Sequence, residues 1–267
     1  MSISLRLETP RDYYSVEELT REAFWKLFWY SDQQICDEHL LVRRLRECPS
    51  FVPELDYVAE QNNKLVGHII YTTGKIVDES QKEHTMLTFG PLSVHPSYQH
   101  RGIGKALMLH TFGEARRMGY RAVIIFGHPD YYTRVGFQRA SRFGITTSDG
   151  KVFDPFMVYP LYDGSLDGIQ GKYYLDPVYD TLKQDDALEF DKIFPPKKRH
   201  IPAPINALLN RLEPDARAAI LSLDFKTLNA LQTISERELS MLNGIDEKAL
   251  KIIRAVMLEH GSKWGIL

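Results

Sequence analysis

The chain has 267 residues, 43% hydrophobic and 25% charged, an ordinary globular balance that excludes wholesale disorder. Its 33 basic and 35 acidic residues leave a net charge of −2, which supplies no global pull toward nucleic acid or anionic membrane. No apolar run approaches the ~18 residues of a membrane-spanning helix. The opening MSISLRLETPRD lacks the apolar core of a secretory signal. Cys36 and Cys48 are too few for a disulfide or zinc framework, so a cytoplasmic protein without a structural metal is expected.

In chain order, Ile3, Leu5 and Leu7 alternate with polar residues as in a half-buried strand. Thr9-Pro10 then starts a helical stretch through Val16, Leu19, Ala23 and Phe24, and a second is predicted near His39–Arg46. Leu55–Glu60 and Leu65–Thr72, joined by an Asn-rich turn at Gln61–Lys64, read as a hairpin. The stretch around Glu83 and His84 reads as a loop, Leu87–Val94 as a strand, and Gly102–Met118 as a helix stopped by Gly119. On that helix Ile103, Leu107, Thr111, Ala115 and Met118 share one face, predicted to pack in the core. Ala122–Phe126 is continuously apolar, the pattern of a strand buried on both faces. Together these predict an α/β sheet domain.

The texture changes near Asp185. Pro195, Pro196, Pro202 and Pro204 and the run Lys197-Lys198-Arg199 give residues 183–204 a linker composition. Beyond them, short helices are predicted at Pro214–Ser222, Lys226–Leu231, Glu236–Leu242 and Glu247–Glu259, the last capped by Asp246. The expected organisation is an α/β domain over 1–182, a linker, and a small helical domain over 205–267.

The chemistry concentrates between strand and helix, at Gln99-His100-Arg101-Gly102-Ile103-Gly104-Lys105-Ala106. Gly102 and Gly104 let backbone N–H groups approach a ligand, and they open a helix whose first amides favour an anion. Arg101 and Lys105 add positive charge, so a phosphate or pyrophosphate is the suited guest. A Walker loop is excluded because Ala106, not Ser or Thr, follows Lys105. A Rossmann fingerprint is excluded because position 107 is Leu and His95–Arg101 separate strand from turn.

Gln99, Gly102 and Gly104 meet the Gln/Arg-x-x-Gly-x-Gly/Ala pattern of the GNAT superfamily of acyl-CoA-dependent N-acyltransferases. Pro91-Leu92-Ser93-Val94 before the loop and Tyr132-Thr133-Arg134-Val135-Gly136-Phe137 after it also resemble that family, over residues 1–182. The resemblance implies a mixed sheet whose parallel central strands splay apart, with flanking helices. It implies that the backbone of Leu92, Ser93 and Val94 holds the pantetheine arm of acetyl-CoA. It also implies that Gln99, His100, Arg101, Gly102, Ile103, Gly104 and Lys105 form the pyrophosphate loop, with His95 and Pro96 as turn residues beside it.

The implied reaction moves acetyl from acetyl-CoA to a primary amine by direct attack, since neither cysteine has a nucleophile's context. A lysine-like amine must first lose a proton, at a cost of roughly 4–5 kcal/mol at pH 7. By the resemblance, Tyr132 stabilises the departing thiolate, with Tyr131 the alternative if the register differs by one. Some relatives carry a glutamate base on the strand before the loop; the matching residue here is Thr88, which leaves Glu83, His84, Glu22 or a water relay as other sources. A second reading, from another class, is a non-catalytic acyl-CoA sensor.

Residues 212–265 resemble the C-terminal domain of the bacterial RNA polymerase alpha subunit, with a helix-hairpin-helix unit around Leu242–Leu250. That domain's main DNA-contacting arginine and asparagine are matched here by Asp215 and Ala218, its hairpin glycine by Asp246, and only Lys248 keeps basic character. Over 205–267, Lys and Arg are balanced one for one by Asp and Glu. A neutral module lacks the main driving force for duplex binding, so protein docking or a structural role is expected.

Overall fold

The computed structural model of the chain describes residues 3–25, 35–197 and 203–260. It divides into two compact units, one of Met1–Ala23 with Asp37–Phe190, the other of Phe24–Cys36 with Asp191–Leu267.

The first unit is built on a mixed sheet. Strand β1 (Ser4–Leu7) and helices α1 (Tyr13–Phe24) and α2 (Glu38–Glu47) precede a hairpin of β2 (Tyr57–Gln61) and β3 (Lys64–Val77). Asn62 and Asn63 both take positive φ at its turn, the conformation a tight two-residue hairpin demands. Next come β4 (Glu83–Val94), α3 (Ile103–Arg117), β5 (Ala122–Phe126) and the short α4 (Pro129–Tyr132). Strands β6 (Gln138–Arg139), β7 (Ile145–Thr147), β8 (Phe156–Pro160) and β9 (Gly171–Tyr174) follow, then α5 (Gln184–Phe190). The strand order is β1-β2-β3-β4-β5-β8-β6, with β9 pairing β3 and β7. Among the described residues only β4 with β5 and β7 with β9 run parallel.

Glu83 and His84, expected in a loop, are the first residues of β4. Their strand exists because β3 continues to Val77 and pairs with them, turned by Asp78, whose carboxylate takes the amides of Ser80 and Lys82. Helix α3 buries Leu107, Met108, Thr111, Phe112 and Ala115 against the sheet, each large apolar side chain contributing about 2–3 kcal/mol. Met118, expected on that face, lies past the helix end and is exposed.

Residues 184–193, expected to be linker, are helical: α5 and a 3-10 turn at Asp191–Ile193. In the second unit α6 (Asn206–Leu209), α7 (Pro214–Leu221), α8 (Glu236–Ser240) and α9 (Glu247–Glu259) surround Leu208, Ile220, Leu231, Leu239 and Ile253. Asp246 caps α9 by accepting the Ala249 amide, and Ser235 with Glu238 forms a capping box on α8. The helix expected over Lys226–Leu231 is instead a 3-10 turn at Asn229–Thr233. Residues 226–228 are drawn into extended backbone bonds with Ala203 and Ile205.

Candidate active site

Strands β4 and β5 share a single parallel pair, Leu87 with Val123. One residue further on, the Thr88 hydroxyl donates to the Ile124 carbonyl at 2.5 Å, the last link before the strands part. Beyond it the β3–β4 register shifts, leaving Gly90 and Pro91 opposite Ile70 alone. Such a bulge bends a strand, and Pro91 has no N–H to offer a ladder. The β4 edge therefore leaves its neighbour.

Leu92, Ser93 and Val94 still pair with β3 on one side. The His95 amide bonds the Val66 carbonyl, so by alternation Leu92 and Val94 turn their own backbone groups to the open side. Among the described residues no strand covers that edge. Ser93 is buried with its hydroxyl donating to Thr20, so its side chain faces away from the opening. An open, strand-like edge of this kind can take an extended ligand carrying amides.

The glycine loop sits at the end of this edge. Gln99 Nε2 donates to the Val94 carbonyl at 3.1 Å and ties loop to strand. His100 and Gly102 both have positive φ, 59° and 81°. The first helical bond runs from the Ala106 amide to the Gly102 carbonyl. The amides of Ile103, Gly104 and Lys105 thus lack helical partners and present the positive end of α3. Arg101 lies over the Tyr98 ring and, with Lys105, is exposed. His95 accepts the Ser97 amide and caps the turn that begins with Pro96, which is a structural task.

Two tyrosines of α4 reach toward this region differently. A Cβ built on Gly104 would come within 2.9 Å of the Tyr131 hydroxyl and near Leu92 and Val94, so Tyr131 stands beside the loop. Tyr132 covers Gly127 and packs against Phe89 and Phe137. Burial, with Tyr131 and Glu38 nearby, raises its phenol far above the usual value. It stays protonated at neutral pH.

Thr88, at the position where a base was sought, is buried and committed to Ile124. Glu83 is paired with Lys75 and His84 with Asp78, at the end of β4 remote from the bulge. Glu22 lies on α1. Sequence reasoning passed over Glu38, in the first turn of α2, whose carboxyl is pushed up to about 7 by burial and by Asp37.

Residues 54–139 match the family model described as an acetyltransferase (GNAT) domain. The match lies within the first unit. Among curated proteins, the chain is 37% identical over 98 residues to the uncharacterised N-acetyltransferase YjhQ of Escherichia coli; the match covers 37% of this chain and 54% of that protein, about half its length. To the uncharacterised N-acetyltransferase YhbS of the same organism it is 26% identical over 167 residues, 62% of this chain and 92% of that protein. The solved E. coli YhbS, in complex with CoA, superposes with a TM-score of 0.58 at 21% identity, covering 68% of this chain and 93% of that one, a likeness of fold. A GNAT family acetyltransferase from Brucella melitensis, in complex with acetyl-CoA, gives 0.53 at 26% identity over 67% of this chain and 99% of that one. No helix among the described residues is long and apolar enough to cross a membrane.

Proposed function

We propose that this protein transfers acetyl from acetyl-CoA to a primary amine of a small molecule or protein, by direct attack in a ternary complex. The observation that carries the reading is the open β4 edge, Leu92–Val94, running into the free amides at the start of α3. The edge suits the pantetheine amides, and the loop suits the pyrophosphate, with Ile103, Gly104 and Lys105 as backbone donors and Arg101 and Lys105 as counter-charges. Gln99 supports the loop through Val94, and His100 and Gly102 supply its turn. The CoA-bound YhbS and acetyl-CoA-bound Brucella proteins support the same ligand class.

Tyr132 is the group assigned to the departing thiolate, as a neutral hydrogen-bond donor. This chemistry needs no metal. Cys36 and Cys48, as thiols and not a disulfide, suit a reducing cytosol. Calorimetric titration with acetyl-CoA and CoA tests the reading, followed by thiol release across a panel of primary amines. Binding with turnover of at least one amine is expected; absence of CoA binding at millimolar concentration refutes it. Binding without any turnover would favour the acyl-CoA sensor.

For the second unit we infer a protein-docking or structural role. Its α8–turn–α9 segment supports the likeness to a helix-hairpin-helix of the polymerase alpha type. The hollow between α7 and the Gly244 turn is lined by Glu213, Asp215 and Asp246, and its one cation, Lys248, is paired with Glu213. A surface of that charge repels phosphates. A fluorescence titration with duplex DNA at low salt is expected to show no binding.

A further inference from the structure

We propose that Glu38 is the group that removes the proton from the acceptor amine, which must therefore approach as a primary ammonium from the α2 side of the sheet. The proposal rests on the acetyltransferase reading above. Three observations bring Glu38 forward. First, the usual strand position is sealed, because Thr88 is buried and bonded to Ile124. Second, Glu38 is half-buried, and among the described residues its carboxylate makes no hydrogen bond and no ion pair. Glu8, Glu17 and Asp56, by contrast, are engaged by Arg46, Arg43 or His68, and Asp37 accepts from Gln184.

The third observation is its place. Helix α2 packs Leu41 and Leu45 on Ile70, whereas α3 packs on Ile69 and Tyr71, the opposite face. Tyr132 belongs to the α3 side with Phe89 and Phe137. Even so, the Glu38 charge is felt at the Tyr132 phenol. The Gly90–Pro91 bulge lies opposite Ile70, so the helix headed by Glu38 covers from one face the gap where β4 leaves β5, and Tyr132 belongs to the other face. A thioester lying in that gap has a phenol by its sulfur and a carboxylate on the face where a nucleophile arrives.

The ionisable group acting on Glu38 is Asp37, just ahead of it and bonded by Gln184, while Glu38 in turn raises the Tyr132 phenol on α4. Asp37 and burial both favour the proton on Glu38, so it accepts one near neutral pH, where a general base is most effective. In the step, Glu38 takes one proton from R–NH3+. The neutral nitrogen attacks the thioester carbonyl, the C–N bond forms and the C–S bond breaks. The remaining surplus proton on nitrogen passes to the departing sulfur, Glu38 returns its own to solvent, and an amide and CoA thiol result.

The test uses the full chain with two probe acceptors, ethanolamine, largely protonated at neutral pH, and hydroxylamine, largely neutral there. With ethanolamine, Glu38→Gln is expected to lower kcat/KM by about 10²–10³-fold and to remove the acid limb of the pH profile near pH 7. With hydroxylamine the loss is expected to stay within about threefold, and the CoA Kd within about twofold, which also shows that the variant is folded. Asp37→Asn is expected to keep turnover while its acid limb moves to lower pH, since a like charge is gone. Unchanged ethanolamine turnover in Glu38→Gln, an acid limb that survives the substitution, or equal losses with both acceptors would each overturn the proposal. Wild-type protein that binds CoA but turns over neither probe nor any amine of the panel would instead sink the transferase reading itself, and the proposal with it.

Discussion

Tyr131 and Tyr132 are neighbours in sequence with opposite environments. The Tyr132 ring is held by Phe89 and Phe137 over Gly127, and its phenol is too weak an acid to give up a proton. In the role proposed for it, a hydrogen bond from Tyr132 matters only as charge grows on sulfur, so Tyr132→Phe is expected to lower kcat by about 10²–10³-fold with little change in acetyl-CoA affinity. Tyr131 stands beside Gly104, and Tyr131→Phe is expected to weaken CoA binding by about 2–10-fold, the worth of one hydrogen bond, and to spare kcat. Steady-state kinetics with calorimetry separates the two. If the effects are exchanged, Tyr131 is the residue at the sulfur.

A second group of residues is buried for stability rather than catalysis. Glu8, Asp56 and His68 lie close enough to resemble a metal site. Arg46, however, donates to both oxygens of Glu8, and His68 bonds Asp56 at 2.8 Å, so the donors are already used. Burial pushes Glu8 up to about 7 and Asp56 up to about 6, while it drives His68 down to about 4. A raised carboxyl means the folded state holds a proton that the unfolded state has lost, so Glu8 makes stability fall as pH rises from about 4.5 toward 7. His68 works in the other direction between about 4 and 6.5. Asp56, raised to about 6, adds a second falling component at lower pH, and Glu8→Gln removes only the part that belongs to Glu8. Its melting temperature, relative to wild type, is expected to improve from pH 5 to pH 7, as thermal scans across that range would show; a constant difference would count against the buried proton.

At the scale of elements, the site depends on two breaks in regular structure, the β4 bulge and the left-handed loop before α3. Gly102 holds φ at 81° with nothing within 4 Å of where a Cβ would stand. A Cβ there meets no protein atom; a side chain costs about 1–2 kcal/mol of backbone strain and occupies space beside the free amides. Gly102→Val is therefore expected to weaken CoA binding at least tenfold by calorimetry, while the melting temperature falls only slightly. A large loss of stability with unchanged affinity would show that the loop serves folding instead.

At the scale of the whole molecule, each unit has a core of its own, around Leu107, Phe112 and Val123 in the first and around Leu208, Leu231 and Ile253 in the second. Ile253 is fully buried, and Ile253→Ala is expected to destabilise the second unit by about 2–5 kcal/mol. The CoA Kd, read by calorimetry below the melting range, is expected to stay within twofold. A parallel loss of CoA affinity would show that the two cores stabilise each other.

What the sequence determined by itself is local. Asn62-Asn63 dictates a tight hairpin because both residues tolerate positive φ, and the apolar run dictates a strand covered on both faces over Ala122–Ile125, although Phe126 at its end is exposed. The helix Glu247–Glu259, with Asp246 as its cap, is written in spacing and capping chemistry. The loop from Gln99 to Lys105 is legible because an anion site at a helix start needs particular residue types at fixed offsets. What only the tertiary structure decided is which distant groups meet. Glu83–Thr85 carry no strand pattern and become strand because β3 extends to pair with them, and residues 226–228 lose a helix to backbone bonds with Ala203 and Ile205. The polar side chain of Thr88 gives no sign that it closes the β4–β5 junction. Nor does Glu38, whose one sequence neighbour of note is Asp37: it lies 94 positions from Tyr132, and only the fold brings α2 near enough to α4 for its charge to act on that phenol.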